Sequence, residues 1–398
     1  MEARDKLNQI KTELKNNFVE RDGLIPVLMG LYLAGENALL FGPPGTAKSA
    51  LADAICINMG GGNYFRYLLT RFTTPDELFG PRSVQGLKND SYRRVTKGYA
   101  PEASVLFADE IFKANSAVLN TLLTLINERE FFDDGKRVKV PLRMTIGASN
   151  ELPEGPELAA LYDRFVARYW IDYVEDVNSR KQIMLGKANG QPASISLTAA
   201  EIDLLTAEAK KIPYADGLDD MILTIEDRLK EINIIIGDRR RRAIYKTLPM
   251  LAYVQGDDEV IEDTLAELLP DMLWQKPAQR ANIYKSILAI ANPTAKKAQE
   301  ILDAANEVVK ALEGLPKNEA YPGQLLNGRK LIEEMIDKLI NLDKRGKNKR
   351  IKEASKNIGR VYTDVMNKVM EQAGLEAFKG NKVTDALKTY LKKGGENA

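Results

Sequence analysis

The chain has 398 residues, with 57 basic and 56 acidic side chains and a formal net charge of +1. This balance excludes an overall field that would select anionic partners, and the length predicts two or three domains. Histidine is absent and cysteine occurs once, as Cys56, which excludes histidine-based triads, imidazole general bases, most zinc sites and a disulfide framework. We expect Cys56 to be a small core residue.

The N-terminal segment is charged and lacks the apolar core of a signal peptide. No uninterrupted apolar stretch elsewhere reaches the length that spans a bilayer. We therefore expect a cytoplasmic protein without membrane insertion.

A glycine-rich motif follows the apolar run at residues 38–41 and precedes a helical pattern that begins at Ala50. Its residues are Gly42, Pro43, Pro44, Gly45, Thr46, Ala47, Lys48 and Ser49. Such a turn directs backbone N–H groups and a helix dipole at an anion, while Lys48 reaches the outer phosphates and Ser49 holds Mg²⁺. Ala47 stands where a second glycine is usual. A chance turn before a helix is the alternative, but the flanking patterns favour a nucleoside triphosphatase.

Residues 104–110 are an apolar run that ends in Asp109 and Glu110, which is typical of a buried parallel strand with acids at its C-terminal end. Asp109 would hold Mg²⁺, and Glu110 would polarise the attacking water. Taken alone, the acidic pair is more often a helix N-terminal turn. Its combination with Lys48 favours catalysis.

A third strand pattern, residues 144–149, ends at Asn150. In a doubly wound parallel sheet, ligands bind at the carboxyl ends of strands, so Asn150 could reach the same γ-phosphate or its water. An asparagine after a strand is otherwise a common turn former.

Helical spacing begins at Ser196, after a break at residues 190–192. The apolar positions are Ile202, Leu204, Leu205, Ala209, Met221, Ile222, Ile225, Leu229 and Ile232. Gly237 then precedes a further helix whose start carries four arginines, residues 239–242, which oppose the helix dipole and should be offset by other groups. A nucleic-acid patch is the alternative, but one short cluster in a chain of charge +1 is a poor footprint for it.

The remainder, from residue 291, is predicted to be a helical bundle. Asn292 and Pro293 interrupt the helical pattern, and a new helix is expected to begin at Ala295. Three apolar stripes follow, at residues 301–312, 331–340 and 351–370. A basic run at Lys344, Arg345, Lys347, Lys349, Arg350 and Lys352 is expected to be a solvated face. The last residues, 392–398, should fray.

The motifs at the three strand ends, in this order along the chain, resemble those of the AAA+ ATPases. The resemblance is closest to the MoxR family and its RavA branch. The resemblance spans about residues 15–275. It is carried by residues 18–21, 42–49, 68–75, 77–81, 109–114, 119–123, 126–129, 148–153 and 160–165. An Ala-Lys-Ser ending of the phosphate loop also resembles MoxR-type proteins.

The resemblance implies an α/β fold, an αβα sandwich around a parallel sheet, over residues 1–190. It implies a helix-2 insert around residues 79–99, an all-α lid over 191–290 and a C-terminal helical domain or arm over 291–398. Within the insert, Tyr92, Arg93 and Arg94 are candidates for substrate contact, with an exposed charged loop as the alternative. No alternating strands are read between residues 316 and 325, so we expect the β-domain of RavA to be absent.

The resemblance also implies roles for individual residues. ATP and Mg²⁺ would bind at residues 42–50, with Lys48, Glu110 and Asn150 at the reacting phosphate. Arg164 resembles the arginine finger that acts on the neighbouring subunit's nucleotide, and Arg168 is the competing candidate. Arg239, with Arg240 next, resembles the second sensor, which touches the γ-phosphate of its own subunit.

The implied assembly is a homo-hexameric ring that couples ATP hydrolysis to remodelling, maturation or activation of a protein client. The usual MoxR partner carries a von Willebrand factor A (vWA) domain with a metal-dependent adhesion site. The alternative function is a DNA- or RNA-associated motor, because the same clade includes helicases. An inactive structural ring subunit is a third reading, which the presence of Lys48, Asp109, Glu110 and Arg164 disfavours.

Overall fold

The computed structural model of the chain describes residues 2–60, 63–153, 156–316, 320–343 and 349–392. The fold divides into two compact units, residues 1–284 and 285–398. The three-domain division at residues 190 and 290 remains a prediction.

A parallel sheet of five strands forms the centre of the first unit. The strands of this unit are β1 (Ala38–Phe41), β2 (Tyr64–Leu68), β3 (Val105–Asp109), β4 (Glu130–Asp133), β5 (Lys136–Lys139), β6 (Met144–Ser149) and β7 (Ala167–Trp170). The sheet order is β2-β3-β6-β1-β7, and β4 and β5 pair as an antiparallel hairpin outside it. The predicted α/β class is confirmed.

The sheet brings three predicted motifs to one edge. Phe41 lies opposite Ser149, and Ala108 lies opposite Gly147, in parallel register. The residues that follow β1, β3 and β6 therefore all lie at the carboxyl edge, where ligands of doubly wound sheets bind. The apolar runs form these strands because both faces of a parallel sheet are covered by helices.

The helices of the first unit precede, cover and follow this sheet. They are α1 (Ala3–Asn17), α2 (Leu24–Ala34), α3 (Lys48–Met59), α4 (Pro75–Phe79), α5 (Val84–Lys88), α6 (Ser116–Glu128), α7 (Pro156–Tyr162), α8 (Val177–Met184), α9 (Ala199–Ala209), α10 (Leu218–Lys230), α11 (Asp238–Gln255) and α12 (Glu262–Leu273). Next, α13 (Arg280–Ala291) crosses the boundary between the units. Short 3-10 turns lie at Ala100–Glu102, Ile111–Lys113 and Pro277–Gln279.

Several local predictions need correction. Helix α3 begins at Lys48 rather than at Ala50, because the phosphate loop continues directly into the first turn. The insert is hairpin-like only at its base, where Arg82 pairs with Arg94, and it also contains the short helix α5. Leu204 and Ile232 are exposed, so the buried lid stripe is narrower than the apolar pattern indicated.

A lysine–glutamate pair joins α1 to α9. Lys6 donates to Glu201, which also accepts from the backbone N–H of Thr198 at 2.8 Å. These interactions, the Lys6 bond foremost, lower the pKa of Glu201 to about 2. An acid with a lowered folded-state pKa stabilises the fold above its ordinary value, 4.5, and loses that effect as the pH falls through the folded pKa.

We expect Glu201→Gln to lower the urea midpoint of unfolding at neutral pH, and the difference from wild type to shrink as the pH falls from about 4.5 to about 2. Urea titrations across this range measure it. Glu259→Gln, at an exposed glutamate, is the matched control and should show no such pH-dependent difference. Equal midpoints of Glu201→Gln and wild type at neutral pH would contradict the prediction.

In the part of the second unit that the structure describes, four helices follow α13. They are α14 (Pro293–Glu313), α15 (Tyr321–Leu342), α16 (Lys349–Gln372) and α17 (Lys382–Lys392). The three predicted stripes form a common core, in which Ile336, Ile358 and Tyr362 are fully buried. Helix α17 is an addition to the prediction, and it buries Leu387 and Tyr390 in that core.

Some predictions for this unit lie outside the described residues. These are the residues of the basic run at Lys344, Arg345 and Lys347, the side chains of Lys349 and Arg350, and the tail from residue 393. Residues 317–319 also lie outside, and the absence of a RavA-type β-domain remains a prediction. Among the described helices, none combines the length and apolar composition needed to cross a bilayer.

Candidate nucleotide-hydrolysis site

The predicted phosphate loop connects β1 to α3. Gly42 has φ +143°, and a Cβ placed there would lie 2.0 Å from the carbonyl oxygen of Ile171, so only glycine fits. Ala47 precedes the helix in the left-handed conformation, with φ 62° and ψ 24°. An L-residue reaches that conformation at a cost of about 1 to 2 kcal/mol, which explains why alanine can replace the usual glycine.

Lys48 is buried at the centre of the loop. Its Nζ donates to the carbonyl oxygens of Gly42 and Pro43, at 2.7 and 2.8 Å, and to Asn150 Oδ1 at 2.9 Å. Burial lowers the pKa of Lys48, and the carboxylates of Glu110 and Asp109 partly offset this. The ammonium group therefore lies where the turn of the loop and the end of β6 meet.

Other parts of the loop are held by hydroxyl groups. Thr46 Oγ1 donates to Pro43 O at 3.0 Å, and the Tyr173 hydroxyl donates to Pro44 O at 3.2 Å. Gly45 and Pro44 are exposed, and Ala50 lies half-buried in the first turn of α3. The outer side of the loop is thus open, as access by a nucleotide requires.

Ser49 and Asp109 provide the oxygen ligands that Mg²⁺ prefers. Ser49 Oγ donates to Asp109 Oδ2 at 2.9 Å, so a hydroxyl and a carboxylate converge from α3 and β3. This pair fits a magnesium ion that keeps several waters and binds phosphate oxygens. Arg66 on β2 lies 3.8 Å from the same carboxylate oxygen and also pairs with Asp53.

Glu110 has an unusual backbone. Its φ of 52° and ψ of 44° lie in the left-handed region, which is uncommon for a glutamate. Asn150 Nδ2 donates to Glu110 Oε1 at 2.8 Å, and Lys113 Nζ lies 3.4 Å from Oε2. Glu110 and Asn150 line a cavity of about 520 Å³, together with Phe112, Trp170 and Pro277. The strained turn aims the carboxylate into a space where a reacting phosphate and water can lie.

The predicted finger, Arg164, lies at the other edge of the sheet. Its carbonyl accepts from Asn37 Nδ2 at 3.3 Å, and Asn37 precedes β1. Because β1 and β7 are parallel, the backbone of Arg164 lies at the amino edge, while the phosphate loop follows the carboxyl edge. Four strand residues separate these edges by about 13 Å. Arg164 therefore lies away from the phosphate loop of its own chain.

The competing candidate, Arg168, is fully buried. It donates to Trp274 O at 2.7 Å, and its guanidinium lies 3.9 Å from the ring centroid of Tyr162. Burial, with Arg240 nearby, lowers the pKa of Arg168 to about 9. Arg168 braces β7 against the end of α12, and its guanidinium lies inside the fold of its own chain.

The candidate second sensors lie beside the finger segment, the stretch at residues 160–165 that contains the predicted finger Arg164. Arg239 pairs with Asp163 Oδ2 at 3.1 Å, and the buried Arg240 lies 3.4 Å from Asp163 Oδ1. Arg239 therefore lies beside the predicted finger, because Asp163 adjoins Arg164, and its role as second sensor stays a prediction. The lid helix α11 packs along α2. This packing brings the first turn of α11 to the amino edge of the sheet.

The arginine run is largely neutralised. Besides the two pairs with Asp163, Arg241 pairs with Glu226 and with Asp238, each at 2.7 Å. These carboxylates provide the offset that four arginines at a helix start require. The arginine run resembles a basic patch in the sequence, but most of its charges are paired with carboxylates of the same chain.

Arg66, Tyr173 and Asp163 were missed by sequence reasoning. Arg66 and Tyr173 lie in short segments without a recognisable motif, and Asp163 is an ordinary acid beside the predicted finger. The β4–β5 hairpin was also missed, although Asp133, Asp134 and Gly135 between aromatic and β-branched residues are a turn signal.

Three adjacent parallel strands end in a phosphate loop, an Asp-Glu pair and a polar residue, and helices follow them. This combination defines a P-loop nucleoside triphosphatase of the AAA+ type. Comparison with known proteins gives the family. The model described as the MoxR domain in the MoxR-vWA-beta-propeller ternary systems matches residues 5–207, and an AAA lid domain model matches residues 217–287. The chain belongs to the MoxR family of AAA+ ATPases.

Similar proteins occur in Methanocaldococcus jannaschii and in Acidianus two-tailed virus. The uncharacterized protein MJ0812 of Methanocaldococcus jannaschii is 38% identical over 309 residues, which cover 76% of this chain and 82% of the relative. MJ0079 of the same organism is 39% identical over 315 residues, covering 78% and 80%. The structural protein ORF618 of Acidianus two-tailed virus is 31% identical over 253 residues, or 58% of this chain and 39% of the viral protein.

A crystal structure from Cytophaga hutchinsonii, of a protein described as a candidate ATPase, shares the fold. Its TM-score is 0.58 at 18% identity, covering 73% of this chain and 95% of that one. This likeness supports the AAA+ architecture and nothing finer.

Proposed function

We propose that the protein hydrolyses ATP with Mg²⁺ as a homo-hexameric ring and uses the energy to remodel a partner protein. The observation that carries the ATPase proposal is a chain of two hydrogen bonds, from Lys48 to Asn150 at 2.9 Å and from Asn150 to Glu110 at 2.8 Å. It joins a phosphate-binding cation, a polar sensor and a carboxylate in one site, as phosphoryl transfer to water requires.

Each residue has a distinct task in this proposal. Lys48 and the loop N–H groups hold the outer phosphates, and Ser49 and Asp109 hold Mg²⁺, which when bound neutralises charge on the phosphate oxygens. Glu110 accepts the hydrogen bond of the attacking water and orients it. Asn150 fixes the carboxylate of Glu110 and, with Lys48, marks where the γ-phosphate lies.

The ring proposal follows from the position of the arginines. Arg164 and Arg239 lie at the edge of the sheet opposite their own phosphate loop, so they complete a site only in a neighbouring copy. A head-to-tail arrangement that closes on itself places the amino edge of one copy against the carboxyl edge of the next. We propose that Arg164 is the finger and that Arg239 acts beside it on the same neighbouring nucleotide.

The proposed client carries a vWA domain, because the matching family model is described for MoxR-vWA-beta-propeller systems. Membership of the RavA branch is part of the same proposal and rests on the sequence motifs quoted above. The nucleic-acid alternative finds little support, since Arg239, Arg240 and Arg241 pair with carboxylates rather than forming a free basic surface.

A capture experiment tests the client proposal. Glu110→Gln protein, held with ATP, is used as bait in lysate of the source cells, with Lys48→Ala as the control that should not retain ATP. We expect mass spectrometry to identify a vWA-domain protein enriched on the Glu110→Gln bait and resistant to nuclease. Nuclease-sensitive capture, together with ATP hydrolysis stimulated by DNA in a salt-dependent manner, would support the motor instead.

A further inference from the structure

Asp163 makes two unequal ion pairs with the lid. The pair with Arg239 is open to solvent, since the side chains of Asp163 and Arg239 are 58% and 57% exposed. Arg240 is only 8% exposed and also donates to the carbonyl of Met272 at the end of α12. Exposed pairs are weak and exchange easily, whereas a buried guanidinium must keep its partners. Arg239 can therefore leave Asp163 at little cost, while Arg240 cannot.

Asp163 also counters a local excess of positive charge. Burial lowers the pKa of Arg164 and that of Arg240, and the nearby Arg239 lowers that of Arg164 further. The carboxylate of Asp163 acts in the opposite direction on both groups. Arg164 Nε is buried and has no hydrogen-bond partner in the described part of the chain.

The geometry points to Asp163 as a positioning residue that fixes the lid helix α11 against the finger segment, so that Arg164 and Arg239 meet the neighbouring nucleotide as one unit. This inference rests on the proposed function. Before the neighbour binds ATP, Asp163 holds Arg239 in place and balances the cluster. When a triphosphate approaches, Arg239 exchanges the carboxylate for phosphate, while Arg240 stays on Asp163 and keeps the lid attached.

The test is a double-mutant cycle on ATP turnover in the assembled full chain. We expect Asp163→Ala and Arg239→Ala each to lower kcat about tenfold, with KM for ATP changed less than about twofold, because each subunit's own phosphate loop is intact. The double variant should be no slower than the slower single variant, since both changes break one unit. Asp163→Glu should recover part of the loss. Asp227→Ala, which removes another exposed aspartate paired with Lys230 on α10, is the matched control and should leave kcat unchanged.

Subunit mixing separates positioning from a general structural effect. Asp163→Ala subunits retain a working phosphate loop, and Lys48→Ala subunits retain a working finger side. Their mixture should therefore turn over faster than either variant alone. Additive losses of kcat in the double-mutant cycle, or a mixture whose turnover does not exceed that of its components, would overturn the inference. Turnover by the wild-type protein would still uphold the proposed function. A wild-type protein that hydrolyses no ATP would overturn both.

Discussion

Glu110→Gln should bind ATP as wild type does and lose turnover by at least about 100-fold, which is the usual contribution of a general base. The amide keeps the size of the side chain and can still bond to Asn150, so the site should keep its shape. It cannot accept a proton from water as a carboxylate does. The variant therefore separates nucleotide binding from hydrolysis. Steady-state phosphate release measures hydrolysis, and equilibrium binding of a labelled nucleotide measures binding.

The backbone of Glu110 adds a second expectation. Because residue 110 holds a left-handed conformation, glutamine meets the same strain as glutamate, and the stability of the fold should be unchanged. Glu128→Gln, at an exposed glutamate that ends α6, is the matched control and should retain turnover. Full activity in Glu110→Gln would remove Glu110 from the mechanism and leave the cavity beside it without a chemical role.

The three strand ends could be predicted because their signals are local. Each is an apolar run followed within two residues by a group with one plausible chemical use, as with Phe41 before the loop and Ala108 before Asp109. Parallel pairing then brings them together without further information, because the carboxyl ends of neighbouring strands share one edge. The helical stripes of the C-terminal unit could be predicted for the same reason, since one face of each helix enters a common core.

The arginines show where this reasoning stops. The burial of Arg168 involves Trp274, more than one hundred positions further along the chain, whose carbonyl accepts from the Arg168 guanidinium. The pairing of Arg239 with Asp163 joins residues 76 positions apart. No periodicity records such contacts, so the sequence ranks the candidates only by motif. The fourth C-terminal helix is a different case, because Val383, Leu387 and Tyr390 have helical spacing that could have been read.

Arg164→Ala should lower turnover by about 1,000-fold in a homogeneous ring, within the range that arginine fingers contribute. ATP binding should be nearly unchanged, because the altered side chain lies at the edge of the sheet opposite its own phosphate loop. Arg228→Ala, which removes an exposed arginine on α10, is the control and should turn over as wild type does. Arg168→Ala should behave differently from both, since it removes a buried brace between β7 and Trp274 and should lower the unfolding midpoint.

Mixing the two catalytic variants tests whether the finger acts between subunits. An Arg164→Ala subunit supplies an intact Glu110, and a Glu110→Gln subunit supplies an intact finger, so a site built from both is complete. In a ring assembled at random from equal amounts, about a quarter of the interfaces have this combination. We therefore expect the mixture to recover up to about a quarter of wild-type turnover, although each variant alone is nearly inactive. A mixture that stays at the level of its components would contradict a finger in trans, whereas the same recovery with Arg168→Ala in place of Arg164→Ala would move the finger to Arg168.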